Sequence, residues 1–187
     1  MSKPLGLDLA SKRRRTRNDY TYREDYRTRW YPTRPSIPKG RNKPNTISRA
    51  DNDMFHHLNN PIYGVLIDSI INSYLIQHCG YSTSSSDHIG LVANSYCDYF
   101  GSAHYPGMLD VCLRVVKIGN SSVMYEVAVF QEGEDQVKAI GGFTQIWVDR
   151  KTNKVTPEGV PASVREPLRP LLKGSEQEGE AKGKARL

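Results

Sequence analysis

Acidic, histidine and asparagine side chains are concentrated in one short stretch of this chain. Residues 51–60 contain two aspartates, two histidines and three asparagines, and Pro61 and a long apolar segment, 62–79, follow directly. An Asn-Pro pair before an apolar run is typical of a helix N-terminus, with Asn60 as the cap residue. A carboxylate would then precede the free amides of a helix. This arrangement suits an acid that attacks a carbonyl carbon, or activates water against it, while backbone N–H groups hold the carbonyl oxygen.

The elements around this motif predict an α+β domain. A strand-like run, 26–31, precedes the motif, and the long helix follows it. Four further strand-like runs come next: about 90–99, 108–118, 121–131 and 137–149. Apolar residues alternate with polar ones in these runs, as they do in half-buried strands. A helix that is apolar on nearly all sides has to be covered on most of them, so we expect one curved antiparallel sheet wrapped around one central helix.

Charge is distributed unevenly along the chain. Residues 1–50 carry 14 Lys and Arg against 4 Asp and Glu, a net charge of +10, so the overall +6 leaves −4 for residues 51–187. The basic stretch 1–18 has few residues able to fill a core, and we expect it to be a disordered tail. We expect the same of the charged segment 173–187. A single domain over 19–172 remains, which suits a chain of this length.

The cysteine content and the absence of targeting features indicate the compartment. Cys79, Cys97 and Cys112 are an odd number in largely apolar surroundings, which argues against a disulfide framework and for an intracellular protein. We expect the cytoplasm; a mitochondrial presequence is the alternative, although nearby acidic residues weaken it. His56 and His57 are adjacent rather than three or four residues apart, so we expect no metal site. No uncharged apolar run reaches the roughly 18–20 residues of a membrane span.

The motif and the order of elements resemble those of the hotdog-fold acyl-CoA thioesterases of the 4-hydroxybenzoyl-CoA thioesterase type. Residues 51–63 read Asp-Asn-Asp-Met-Phe-His-His-Leu-Asn-Asn-Pro-Ile-Tyr, against the family pattern Asp-x-Asp-x-x-Gly-His-x-Asn-Asn-x-x-Tyr. Residues 113–125 look like the Gly-x-Ser-Ser turn between two strands of the family. Residues 147–149 and 157–161 look like its last strand and closing proline segment. The resemblance covers about 50–170 and implies the hotdog fold and thioester hydrolysis.

The resemblance assigns roles to residues of the motif. Asp53 would attack the thioester carbon or activate a water; the alternative is that Asp53 only caps the loop through backbone N–H groups. Backbone amides near Asn60 and Ile62 would hold the carbonyl oxygen. His57 and Asn59 would orient the loop or touch the substrate.

The resemblance also implies how the substrate is held. Gly119, Ser121 and Ser122 would contact the pantetheine or phosphate of coenzyme A, or else form a plain hairpin turn. Tyr63, with other residues between helix and sheet, would select the acyl group. No cofactor is expected, because coenzyme A is part of the substrate. The family shares its active site between two subunits, so we expect a homodimer or a homotetramer.

Two features depart from the family pattern. His56 replaces a glycine, which alters the loop if that position needs a positive φ. The proline-rich segment 31–49 separates the first strand from the motif, as an insertion. This segment is either a surface loop or the product of an incorrectly predicted exon boundary. We hypothesise the second, because the segment lacks apolar patterning; a transcript that encodes 31–49 would contradict it.

Two other functions are consistent with the sequence. A non-catalytic hotdog protein that binds acyl-CoA, or serves as an assembly module, is the alternative that His56 favours. A partner for the basic N-terminus, either nucleic acid or an anionic membrane, is the third reading, since the run 12–17 is followed by tyrosines. We do not expect this contact, because such runs are more often solvated tails.

Overall fold

Five antiparallel strands form one sheet in the computed structural model, which describes residues 9–27, 52–82, 84–104 and 107–172. The strands are β1 (Tyr22–Arg27), β2 (His88–Tyr99), β3 (Met108–Ile118), β4 (Ser122–Gln131) and β5 (Val137–Asp149). Their spatial order is β1-β3-β4-β5-β2, so β1 and β2 are the edges of a sheet that does not close. With the long helix described below, this is the predicted hotdog fold.

The strand boundaries agree with the sequence pattern except at the first strand. The structure has β3 and β5 at the predicted bounds, β2 begins two residues earlier and β4 one residue later. The first strand begins at Tyr22 rather than at residue 26, because residues 22–27 pair with β3. Residues 1–8 of the expected N-terminal tail, the expected tail 173–187 and the proposed insertion 31–49 lie outside the described residues.

Helix α2 (Asn60–His78) packs against the inner face of the sheet. Its buried residues are Tyr63, Leu66, Ile67, Ile70, Ile71, Tyr74 and Leu75. Gly141 of β5 permits this close approach, because a Cβ at that position would collide with the Cδ1 atom of Ile67. The expectation of a helix covered on most sides agrees with this packing, while Val65 and Ile76 remain 56% and 51% exposed. One face of α2 is therefore uncovered within a single subunit.

The two ends of α2 differ slightly from the prediction. The cap residue is Asn59 rather than Asn60, and Pro61 lies in the first turn as expected. The cap moves by one residue because the Asn59 carbonyl accepts the Ile62 amide at 2.9 Å, which brings Asn60 into the first turn. At the other end, Gly80 has a φ of +61° and ends the helix, as predicted.

The segment 9–20, which we call the N-terminal strap, crosses the outer face of the sheet. It contains helix α1 (Leu9–Arg13), and Tyr20 packs there in an apolar cluster with residues of β3, β4 and β5. The expectation of a disordered tail over 1–18 is thus wrong for residues 9–18. The physical reason is that the cations meet carboxylates on the sheet: Lys12 contacts Asp98 at 2.6 Å and Arg17 contacts Asp110 at 2.7 Å.

The strap also contributes to a buried ionic cluster around Glu126 of β4. Glu126 is 0% exposed, and its Oε1 atom lies 2.8 Å from an Arg114 nitrogen and 3.5 Å from the Arg15 Nε. The Tyr20 hydroxyl donates to the same oxygen at 3.1 Å. Burial raises the pKa of Tyr20 far above its ordinary value, so the hydroxyl keeps its proton. The cluster ties the strap to the middle of the sheet.

Replacing Glu126 with glutamine should destabilise the fold strongly. The change leaves the buried guanidinium of Arg114 without its anion, which costs about 3–5 kcal/mol of unfolding free energy. Asp135→Asn is the matched control, because that carboxylate lies 3.5 Å from Arg17 and is fully exposed. Urea denaturation followed by circular dichroism measures both variants, and equal midpoints for the two would contradict a structural role for the cluster.

Candidate active site

Asp53 organises a tight loop just before α2. Its Oδ1 atom accepts the backbone amides of Phe55 at 2.8 Å and His57 at 3.1 Å, and its own amide donates to the His57 carbonyl at 2.8 Å. A β-bridge between Asn52 and Leu58 closes the loop. Within the described part of the chain, no group donates to the Oδ2 atom of Asp53. One carboxylate oxygen therefore caps the loop, while the other remains available for chemistry.

His56 occupies the position at which the loop reverses direction. Its φ is +64°, in the left-handed region that favours glycine. The structure thus confirms that this position needs a positive φ, the condition under which replacement of glycine matters. His56 adopts this left-handed geometry at the cost of backbone strain.

The segment 103–104 contacts the acid loop and supports it through backbone hydrogen bonds. The Leu58 amide donates to the Ala103 carbonyl at 2.7 Å, and His57 forms a β-bridge with His104. The buried Gln131 side chain accepts the His104 amide at 3.1 Å and donates to the His104 carbonyl at 3.2 Å. Sequence reasoning did not identify His104 or Gln131. The only indication of this contact would have been that Gln131 is buried at the end of a strand, and the sequence alone does not show that it is buried.

The first turn of α2 offers one free backbone donor close to the loop. The Ile62 amide already donates to Asn59, so it is not available as an oxyanion donor, contrary to the prediction. Pro61 has no N–H group. Among the described residues none accepts a hydrogen bond from the Asn60 amide, which lies at the positive end of the helix dipole. Asn59 and Asn60 are both exposed.

Tyr63 lies under the site rather than on its surface. Its side chain is buried and packs edge-on against Tyr99, with ring centroids 5.3 Å apart. Burial raises the pKa of Tyr63 to about 12, while a hydrogen bond with the Ala103 backbone acts in the opposite direction. Tyr99 is 48% exposed, so it presents the outer surface of this aromatic pair.

The turn that contains Gly119, Ser121 and Ser122 joins β3 to β4. The Gly119 amide donates to the Ser122 carbonyl at 2.7 Å, as in a hairpin turn. Arg165 of α3 (Ala162–Leu168) donates to the carbonyls of Gly119 and Asn120 at 3.1 and 3.0 Å. The closing segment of the chain therefore holds this turn in place and occupies its carbonyl oxygens.

The acid loop and the hairpin turn lie at opposite ends of the sheet. The loop contacts residues 103–104, just before β3 begins, whereas the turn follows the end of β3. The 11 residues of β3 span roughly 33 Å at about 3.3 Å per residue. Within one chain the structure brings Asp53, His57, Asn59 and Asn60 together; it does not bring the turn residues to them.

Two negative findings concern the part of the chain that the structure describes. No group of three or more His, Cys, Asp or Glu side chains there could hold a metal ion. The helices that the structure describes are too short or too polar to cross a bilayer. All three cysteines are free thiols.

Substituting His56 with glycine should relieve strain in the loop. A residue with a Cβ costs about 1–2 kcal/mol in the left-handed region, and glycine avoids this cost. The greater chain entropy of unfolded glycine offsets about 0.5–1 kcal/mol of the gain. We therefore expect His56→Gly to be neutral or to stabilise by up to about 1.5 kcal/mol. Phe55→Gly, at an exposed position outside the left-handed region, should destabilise. Thermal denaturation compares the two; a lower midpoint for His56→Gly would argue against strain.

Comparisons with known proteins agree with this geometry. A family model described as the thioesterase superfamily matches residues 55–138. The crystal structure of the PA5185 protein from Pseudomonas aeruginosa is 32% identical, with a TM-score of 0.70, and the match covers 86% of this chain and 97% of that one. A search of the curated proteins finds no match.

Two more distant structures share the fold. A 1,4-dihydroxy-2-naphthoyl-CoA thioesterase from Synechocystis is 14% identical, with a TM-score of 0.61 and coverage of 79% of this chain and 94% of that one. A thioesterase from Thermus thermophilus, solved with coenzyme A and zinc, is 19% identical, with a TM-score of 0.57 and coverage of 80% and 98%. The family model and the relative from Pseudomonas aeruginosa together show that this chain belongs to the thioesterase superfamily.

Proposed function

We propose that this protein hydrolyses an acyl-CoA thioester to a free acid and coenzyme A, with Asp53 as the reacting acid. The observation that carries the proposal is that the two oxygens of the Asp53 carboxylate differ in their hydrogen bonds. Oδ1 is held by two loop amides, and Oδ2 has no donor among the described groups. A carboxylate fixed through one oxygen presents the other in a defined direction, which is what attack on a carbonyl requires.

Two courses of reaction fit this arrangement. In the first, Oδ2 of Asp53 attacks the thioester carbon, the C–S bond breaks with release of the coenzyme A thiolate, and water hydrolyses the resulting mixed anhydride. In the second, Oδ2 takes a proton from a water molecule whose oxygen attacks the same carbon, and the departing thiolate receives a proton. Neither course needs a cofactor. In both, negative charge develops on the carbonyl oxygen.

The Asn60 amide is the proposed donor to that developing charge. It belongs to the first turn of α2, and the partial positive charge of the helix N-terminus adds to its effect. A single donor of this kind is typically worth about 3–4 kcal/mol in the transition state. His57 would act mainly through its backbone amide, which holds Asp53, and the exposed Asn59 side chain could reach the substrate.

A complete site would require two subunits. Contacts from Gly119, Ser121 and Ser122 to coenzyme A cannot come from the chain that supplies Asp53, because about 33 Å of β3 separates them. Edge strand β2 offers a surface for pairing, since Leu91 and Val92 are 44% and 49% exposed. In an antiparallel pair of β2 strands related by a two-fold axis, the end of β2 that is nearest the acid loop in one subunit would lie beside the opposite end of β2 in the partner subunit. A homodimer is the minimal assembly.

The similar proteins support the substrate class. The relative from Synechocystis is a thioesterase for 1,4-dihydroxy-2-naphthoyl-CoA, and the structure from Thermus thermophilus holds coenzyme A. Both observations concern those proteins, and they make an acyl-CoA the first class of substrate to test here.

A non-catalytic protein that binds acyl-CoA is the second candidate. It is favoured by the strained His56 and by the loop-capping role of Asp53 Oδ1, which explains the aspartate without any reaction. The third reading, a basic arm for nucleic acid or membranes, loses part of its basis, because Lys12, Arg15 and Arg17 pair with carboxylates of the same chain.

Asp53→Asn distinguishes hydrolysis from binding. Asparagine keeps an oxygen for the loop amides but removes the charge, so the loop should persist while kcat falls by about 10²–10⁴-fold. Asp68→Asn, on the exposed face of α2, is the matched control and should retain full activity. The assay follows free thiol released from a panel of acyl-CoAs. Equal rates for Asp53→Asn and the native protein would remove Asp53 from the mechanism.

Mixed dimers test the shared site. Ser121→Asp should repel the phosphates of coenzyme A and leave a homodimer nearly inactive at low substrate concentration, as Asp53→Asn does for another reason. A heterodimer of the two variants contains one site free of both changes, so unfolding the variants together and refolding them should restore up to about half of the native activity per heterodimer. No restoration, with heterodimers present by mass spectrometry, would place both residues in the same subunit's site.

A further inference from the structure

An open space of about 610 Å³ lies beside edge strand β2, between that strand and the strap. Helix α1 supplies Leu9 and Arg13 to its wall, and the end of β2 supplies residues 97–99 together with Phe100. Leu9 is 58% exposed although it is apolar. Because β2 is an edge of the sheet, no described strand of the same chain lies beyond it to cover these residues.

The strap crosses the outer face of the sheet and reaches the β2 edge at its N-terminal end. Its ion pairs mark the course: Arg17–Asp110 on β3, Arg15–Glu126 on β4 and Lys12–Asp98 on β2. Helix α1 therefore lies over β2. An α-helix with its side chains is about 10 Å wide, whereas neighbouring strands are about 4.8 Å apart. A helix over an edge strand thus overhangs the position that a further strand would occupy.

The early part of β2 presents apolar side chains on the same outer face. Gly90 faces inwards, because a Cβ there would contact the side chains of Gln145 and Trp147, and Trp147 belongs to the inner core. Successive residues of a strand point to opposite faces, so Ile89 and Leu91 face outwards. Leu91 is 44% exposed in a single subunit.

Pairing of β2 with a second copy would bring these side chains under α1. Antiparallel pairing along the whole of β2 (His88–Tyr99) sets residue 88 opposite residue 99, and therefore residue 91 opposite residue 96 and residue 89 opposite residue 98. Tyr96 and Asp98 face outwards, since both contact Lys12 of the strap. The partner's Leu91 would then lie on the outer face beside the strand that α1 covers, within the space that Leu9 overhangs.

The charges at this edge are complementary between two copies. The same register sets residue 87 opposite Phe100, which lines the space together with Arg13. Asp87 follows the outward alternation of Ile89 and Leu91. Arg13 and Asp87 are both exposed, and neither forms an ion pair with a described residue of its own chain. A guanidinium and a carboxylate in this position can form two parallel hydrogen bonds.

We propose that α1 of each subunit packs against a second copy of this chain, with Leu9 on the partner's Leu91 and Arg13 bound to the partner's Asp87. The inference rests on the homodimer through β2 in the proposed function, and it adds the strap to that interface. Two-fold symmetry forms each contact twice. The strap is thereby an intersubunit element, which its own ion pairs hold over the edge of the sheet.

An exchange of charges tests the contact. Arg13→Asp and Asp87→Arg each place like charges together at two positions of the dimer, so each should raise the dimer dissociation constant by about tenfold. The double variant restores opposite charges and should return the constant close to the native value. Arg14→Asp is the matched control, because Arg14 is also exposed but does not line the space. Sedimentation equilibrium measures all four variants.

Two results would overturn the contact. If the double variant dimerises no better than the single variants, Arg13 and Asp87 do not meet. If neither single change weakens the dimer more than Arg14→Asp does, the space beside β2 is not occupied by a second copy.

Val92→Lys separates this inference from the pairing on which it rests. Val92 is 49% exposed on β2, and a lysine on an edge strand opposes strand pairing. A dimer weakened by Val92→Lys but not by the charge changes would retain the pairing and reject the strap contact. A dimer that none of these changes weakens would reject both. Hydrolysis is scored independently of either result, by thiol release from acyl-CoA with the native protein.

Discussion

The burial of one face of α2 against the concave side of the sheet is the interaction on which the rest of the structure depends. Ile70 and Ile71 are fully buried there, and each such side chain contributes about 1.5–3 kcal/mol through removal from water. The absence of a side chain at Gly141 allows α2 to approach closely. Because this packing fixes the position of the helix, it also fixes the Asn60 amide at the helix start. The geometry of the acid loop therefore matters only relative to the start of α2.

The outer face of the sheet follows different physical rules. There the strap lies over an apolar cluster and is held by ions, including a fully buried glutamate that two arginines approach. A buried ion cluster of this kind adds little net stability over a well-packed apolar one, but its geometry admits few alternatives. The inner face thus supplies most of the hydrophobic stabilisation, and the outer face determines where the N-terminal segment lies.

Much of the fold could be predicted from sequence, because its signals are local. Alternation of apolar residues gave the strands, and Pro61 and Gly80 marked the two ends of α2. The strap could not be predicted in this way. Its residues look like a solvated basic tail, and what orders them are single carboxylates on three different strands. Such partners are far apart in sequence and appear only once the register of the sheet is known.

The same distinction applies to the candidate site. The resemblance to the family pattern proposed Asp53, and the histidine in place of a glycine raised the question of a positive φ, which His56 has. The sequence did not predict which amide is free at the helix start. The cap residue is Asn59 rather than Asn60, and its carbonyl accepts the hydrogen bond of the Ile62 amide. Sequence analysis did not identify Gln131, or its hydrogen bonds with the His104 backbone, for a related reason. A buried polar side chain is recognised by its surroundings rather than by its neighbours in the chain.

The length of β3 has a consequence for how this fold can change. A regularly paired strand that gains or loses one residue turns its following side chains to the opposite face of the sheet, unless a β-bulge absorbs the change, as the irregularity between Val115 and Lys117 of β3 does. The paired strand β4 and helix α2 have to change length in step, because both run along β3. Where the pairing is regular, the separation between the acid loop and the hairpin turn therefore varies in increments of about 6–7 Å. Small adjustments to a bound molecule have to come from the loops at the two ends.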